Sequence, residues 1–267
     1  MEKDTLQELQ RNWEGLAQTD PLWAICTHPD KKNQRWTREE FFATGQEEIA
    51  QVLRCVESLG LALDKRSAAL DFGCGAGRLT RAMAEHFAEC WGVDIAPTMI
   101  KRAQELNADL PRCRFVLNAR PDLAALQAML PSGMEFGFIY TSIVLQHIPI
   151  PLAAKYLREM MRVLMPGGVL VFQVLSAVKD SALRRLRRKL AIRTRIRTLL
   201  SGGLSYVMEM NCLAESDVRA IVAECEARVV DVRLTNSCNP AFSGRLKYLQ
   251  EEPAKGFISK QYCVTKG

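Results

Sequence analysis

Histidine is scarce in this chain, three in 267 residues, and the nine cysteines are scattered with no C-x-x-C pair among them. Neither a zinc site nor a disulfide framework is indicated by that usage. No apolar run reaches the roughly 18–20 residues that a bilayer-crossing helix needs. The opening, Met1-Glu2-Lys3-Asp4, is polar and has no signal-peptide core behind it. A reduced, cytoplasmic protein is the expectation. Internal repeats and low-complexity linkers are absent too, so solenoids and tethered arrays drop out.

What remains is an ordinary globular composition with one anomaly. The net charge is +6, yet Lys179–Arg197 carries nine basic residues against the single Asp180. That stretch alone holds +8 and leaves −2 for the rest. The basicity is local and calls for a local explanation.

Along the chain, residues 1 to about 60 read as helical and aromatic, with Leu6, Leu9, Trp13 and Leu16 at helical spacing and a break at Asp20-Pro21. A helix is predicted from the N-cap Thr37, with Glu40 three residues on, through Leu59. From Ala68 the pattern alternates. Buried strands are predicted at 68–72, 90–94, 114–118, 136–141 and 168–175, and helices at 78–87, 97–107, 122–130 and 153–163. A last helix, 215–227, precedes strands at 229–234 and 258–264. Alternation of this kind predicts a doubly wound α/β fold with a mostly parallel sheet.

The most informative stretch is Asp71-Phe72-Gly73-Cys74-Gly75-Ala76-Gly77-Arg78. An apolar run precedes it and a helical segment follows. A strand, a glycine turn and a helix let a nucleotide-type cofactor lie against bare backbone. Glycines at 73, 75 and 77 depart from the G-x-G-x-x-G spacing of dinucleotide folds. Asp94 ends the second strand about 20 residues on, where an acid can accept both ribose hydroxyls.

Together with Phe136–Pro149 and Arg162-Val163-Leu164-Met165-Pro166-Gly167-Gly168, this turn resembles the motifs of class I S-adenosylmethionine-dependent methyltransferases, of the small-molecule, bacterial type. The resemblance covers about residues 36–175. It implies a Rossmann-like, seven-stranded sheet whose last strand inserts antiparallel, with S-adenosylmethionine as cofactor. It divides the chain into a helical cap, 1–62, and a cofactor-binding domain, 63–267, with a basic helical lid at 176–211. Gly73, Cys74, Gly75, Gly77 and Arg78 would hold the methionyl part, with Asp71 compensating its amino group. Ile95 would pack on the adenine. Asn118, with Ala119, matches the position that meets the adenine amino group, although an Asn there also caps turns. Thr141 and Gln146 would line the methyl end. Trp36 and Gly45, in the helix before the glycine turn, are further candidate contacts.

For catalysis, His147 follows the active-site strand and suits a general base for a hydroxyl. A structural histidine bonding backbone is the other reading. Glu209 is a second base candidate, in a stretch, 206–210, able to hold acceptor contacts. The Asn/Asp-Pro-Pro-aromatic signature of many amino-group methyltransferases is missing after the fourth strand. Asn239-Pro240-Ala241-Phe242 looks similar but reads as a turn. That absence weighs against N-methylation, and the general resemblance suggests transfer to oxygen of a saccharide or carboxylate-bearing metabolite, with a small-molecule or lipid-linked acceptor. The basic segment, read as two short helices meeting near Ala191, would clamp an anionic acceptor, contact acidic lipid, or serve as a solvated cap. RNA methylation is the alternative, though the segment lacks an aromatic stacking platform. A cofactor-binding protein without turnover is a third reading.

Overall fold

The computed structural model describes residues 2–179, 196–199, 205–238 and 245–267. Its elements run α1 (Glu2–Thr19), α2 (Pro21–Ile25), α3 (Arg38–Ser58), β1 (Ala68–Phe72), α4 (Arg78–Met83), β2 (Glu89–Asp94), α5 (Pro97–Leu106), β3 (Cys113–Leu117), α6 (Ala124–Gln127), β4 (Phe136–Thr141), α7 (Ile150–Val163), β5 (Leu164–Lys179), β6 (Ile196–Leu199), β7 (Ser205–Met208), α8 (Glu215–Glu224), β8 (Ala227–Thr235), β9 (Tyr248–Leu249) and β10 (Gly256–Lys266). The eight-stranded sheet has the order β3-β2-β1-β4-β5-β10-β8-β9. β1 to β5 pair in parallel. β10 lies antiparallel between β5 and β8, as the resemblance implies. The two-residue β9 adds an eighth strand at the edge of β8.

Strand alternation splits the core in two. Leu70, Phe72, Ile139 and Phe172 join α7 and α8 in one apolar cluster. Ala69, Phe138, Tyr140 and Val171 face α3 and α4 in another. A sheet covered on both sides needs apolar residues at every position, which is why these strands read as continuous runs. Each large side chain shut away contributes roughly 1.5–3 kcal/mol.

Local signals set several element ends. Thr37 and Glu40 form the reciprocal capping box of α3, and Gly60, at φ +73°, follows its end. Asp122 lies outside α6 and accepts from the N–H of Ala124 at 3.2 Å. β5 is twice as long as expected because it keeps pairing with β10 as far as Lys179. The hairpin of β6 and β7 corrects one reading: 196–199 is strand where the second of the two short helices of the basic segment is predicted. β-branched and aromatic residues in both strands favour that pairing. Residues 180–195, with the first of those helices, and Asn239–Phe242 lie outside the described residues. No helix among the described residues is long and apolar enough to cross a membrane.

Candidate functional site

The sheet order reverses between β1 and β4, and a cavity of about 440 Å³ opens at the carboxyl ends of these strands. Its wall is mostly apolar. The N-terminal helices contribute Trp13, from α1, and Ile25, from α2.

Gly75 has φ +52°, and a β-carbon there would come within 2.5 Å of Ile25 Cδ1. The turn thus needs glycine both for its backbone and for the approach of α2. Gly73, Cys74 and Arg78 also line the cavity. Gly77 does not; its bare α-carbon admits Asn107 and Phe115 beneath the turn. Asp94 closes the turn from β2, its Oδ2 accepting from Gly75 N and its Oδ1 from Ala96 N, both at 2.9 Å. Burial raises its pKa and these amides oppose that rise. Each oxygen keeps a lone pair for a ribose hydroxyl. Ile95 lies beside it in the wall.

Asn118 follows β3 and is buried. Its Nδ2 donates to Asp122 O at 2.8 Å and Arg120 O at 3.3 Å, which fixes the amide's orientation. Oδ1 is left buried without a partner. An unpaired buried acceptor is costly, and an adenine amino group at the cavity wall would satisfy it. The glycine turn, Asp94 and this orphaned oxygen therefore fit S-adenosylmethionine. When bound, that cofactor supplies an activated methyl group on a sulfonium.

Other expected contacts lie elsewhere. Asp71 is beneath the turn, its Oδ2 accepting from Thr80 Oγ1 at 2.6 Å. Burial raises its pKa to about 7. Arg78 touches the cavity, but its guanidinium is committed to Glu48 at 2.8 Å. Gly45 packs against the backbone of Arg78, joining α3 to α4. Trp36 donates to Cys26 O at 3.0 Å and packs on Phe41, away from the cavity. Ala119 is exposed, and Thr141 is fully buried below the wall formed by Ser142, Ile143 and Val144.

Gln146 and His147 are both buried and line the cavity. His147 Nδ1 lies 2.7 Å from Glu209 O, and its Nε2 lies 3.1 Å from Gln146 Nε2. The ring meets Trp13 edge to face, with centroids 5.3 Å apart. Burial lowers the His147 pKa to about 4, with only the Glu209 carbonyl opposing. Both ring nitrogens are engaged, the arrangement of a backbone-bonding histidine. Glu209 takes part through its carbonyl, while Met208 and Met210 on either side reach the wall.

Sequence reasoning passed over Ile25, Cys238, Glu48 and Gln173. Two carried a signal: Glu48 stands on the apolar stripe of α3, and Gln173 interrupts the run Val169–Leu175.

Fold, glycine turn and the Asp94–Asn118 pair resemble those of class I S-adenosylmethionine-dependent methyltransferases. Residues 69–168 match the family described as a methyltransferase domain. The 2-methyl-6-phytyl-1,4-hydroquinone methyltransferase of Synechocystis is 33% identical over 103 residues, 38% of this chain and 30% of that protein. The ubiquinone biosynthesis O-methyltransferase of Xanthomonas campestris is 34% identical over 109 residues, 40% of this chain and 42% of the relative. The chain thus spans under half the length of these relatives. Among solved structures, magnesium protoporphyrin IX methyltransferase from Synechocystis, with bound S-adenosylhomocysteine, superposes with a TM-score of 0.57 at 16% identity, covering 97% of this chain and 98% of that one. At such identity the likeness is one of fold.

Proposed function

We propose that this protein transfers a methyl group from S-adenosylmethionine to an oxygen of a small-molecule or lipid-linked acceptor with a largely apolar body. One observation carries the reading. A single cavity joins the glycine turn, Asp94 and the orphaned Asn118 Oδ1 to a wall of Trp13, Met208, Met210, Cys238 and Phe257. Sheet order sets Asn118, Asp94 and the turn on the β3-β2-β1 side, and Cys238 after β8 on the other. The first group suits an adenosyl moiety; thioethers and rings suit an apolar acceptor.

A saccharide finds few polar partners on that wall. The one lysine or arginine among the described lining residues, Arg78, is already paired with Glu48. In-line positioning supplies much of the rate for an activated donor. The names of the two relatives, a phytyl-hydroquinone methyltransferase and a ubiquinone biosynthesis O-methyltransferase, agree with an apolar acceptor.

Incubation with methyl-labelled S-adenosylmethionine and cell extract tests this. Label is expected in a small, organic-extractable product. Failure to bind the cofactor by calorimetry would remove the reading. Label confined to RNA or protein would replace it with the macromolecular alternative.

A further inference from the structure

Gln173 stands in the middle of β5, buried behind the cavity wall, as the single polar side chain in Val169–Leu175. Its surroundings have a determinate polarity. Ile143 N–H lies 3.0 Å from Gln173 Oε1, and a backbone N–H can only donate. That fixes which end of the carboxamide is oxygen. The NH2 end then donates to Gln146 Oε1 at 3.1 Å and Ser259 Oγ at 2.7 Å. Gln146 must therefore turn its own NH2 toward His147 Nε2, at 3.1 Å, and that nitrogen must be bare. The proton sits on Nδ1, which donates to Glu209 O at 2.7 Å. The far end agrees, because a carbonyl only accepts. Ile143 is held at φ +59°, a costly conformation for a β-branched residue, while it makes this contact.

The second amide hydrogen of Gln146 is directed at Met210 Sδ, 3.9 Å away, a weak acceptor at the cavity wall. Three other titratable groups of the wall, Asp94, Tyr156 and Cys238, are held by their own partners. Asp94 is held by backbone amides, and Tyr156 OH donates to Arg120 O at 2.5 Å. Cys238 Sγ donates to Gln146 Oε1 at 3.2 Å, and burial pushes its thiol up to about 12.

We propose that Gln173 is a positioning residue that orients Gln146 to present an N–H donor to the methyl acceptor and keeps the lone pair of His147 occupied. The acceptor class follows: an oxygen nucleophile that arrives already ionised, such as a carboxylate or an acidic hydroxyl on an apolar body. Its oxygen forms the new bond to the methyl carbon, sulfur keeps the electron pair of the bond that breaks, and no proton passes to the protein. This inference rests on the methyl-transfer reading for its chemistry, though not for its test.

The three histidines make the test direct. Long-range nitrogen-15 spectra of the full chain, without cofactor or acceptor, report which ring nitrogen carries hydrogen. His147→Gln identifies its signals. At neutral pH, Nδ1 should be protonated and Nε2 bare, with the ring neutral down to about pH 5. Gln173→Glu accepts but cannot donate, so it draws the Gln146 NH2 to itself and turns the Gln146 oxygen toward Nε2. Protonation at both ring nitrogens is then favoured, and the His147 midpoint should rise by about one pH unit or more. An unshifted midpoint in a folded Gln173→Glu protein overturns the relay. If that variant does not fold, the unsubstituted chain still decides, since an Nε2–H ring or an imidazolium at neutral pH overturns it. Because the spectra need no S-adenosylmethionine, absence of cofactor binding would count against the proposed activity and leave this result readable.

Discussion

Glu48, on α3, and Arg78, at the start of α4, form a buried ion pair at 2.8 Å, and the other carboxylate oxygen of Glu48 accepts from Tyr140 OH at 2.8 Å. The pair ties the N-terminal helices to the glycine turn. Removing one charge leaves the other buried and unpaired, which costs about 3–5 kcal/mol. Glu48→Gln should therefore lower stability by that order in urea denaturation. A loss below about 1 kcal/mol would show that water reaches Arg78.

Asp94 and the cofactor give a second expectation. Asp94→Asn is expected to weaken S-adenosylmethionine binding by about 1–3 kcal/mol, through lost acceptance from ribose hydroxyls. Calorimetry on the purified protein measures it. Unchanged affinity would move the ribose away from β2.

Gly75 should tolerate no side chain. With φ +52° and Ile25 against its α-carbon, Gly75→Val must shift α2 and strain the turn. Cofactor binding should vanish, with a lower melting temperature. A stable variant that binds normally would show that the seat of Ile25 is not required.

His147 and Asp71 bend the stability–pH curve in opposite directions. With a folded pKa of about 4 against 6.5, His147 binds fewer protons folded than unfolded, so its contribution is complete above about 6.5. It is lost as pH falls to about 4, on the order of 3 kcal/mol. Asp71, held up to about 7, binds more protons folded. Its contribution is complete below about 3.8 and lost as pH rises through about 7, on the order of 4 kcal/mol. Relative to the unsubstituted chain, Asp71→Asn should gain stability between about pH 4 and 7, and His147→Gln should gain between about pH 6.5 and 4. Parallel curves for all three proteins would contradict both assignments.

The basic segment yields an expectation from charge alone. Replacing Arg184, Arg185, Arg187 and Arg188 with Gln removes half of the local +8. If the segment meets acidic lipid, sedimentation with anionic vesicles should fall and lose its salt dependence, with cofactor binding kept. Vesicle binding unaffected by the substitutions would assign the segment no such contact.

Much of this molecule was legible in its sequence because the signals are local. Glycine spacing, the acid ending β2, the Thr37–Glu40 capping box and the apolar runs each act within a few residues of where they stand. Sheet chirality and the doubly wound pattern then leave few topologies. The hairpin at 196–199 and 205–208 was misread because a short apolar spacing suits helix or strand, and pairing decided between them. Trp36 and Gly45 were expected at the cofactor, yet one packs on Phe41 and the other on Arg78, contacts that no spacing encodes.

By itself, then, the sequence determined the strand–turn–helix unit that suits S-adenosylmethionine, since backbone geometry there depends on which residues are glycine. Only the tertiary structure decided what the polar side chains do. Arg78 turns to Glu48, Asp71 to Thr80, and His147 is held between a carbonyl and an amide governed by Gln173. Apart from Gln146, which adjoins His147, those partners lie 9 to 62 residues apart along the chain. A buried polar group takes whichever partner the fold brings within hydrogen-bonding reach, because leaving it unpaired costs more than the bond itself contributes.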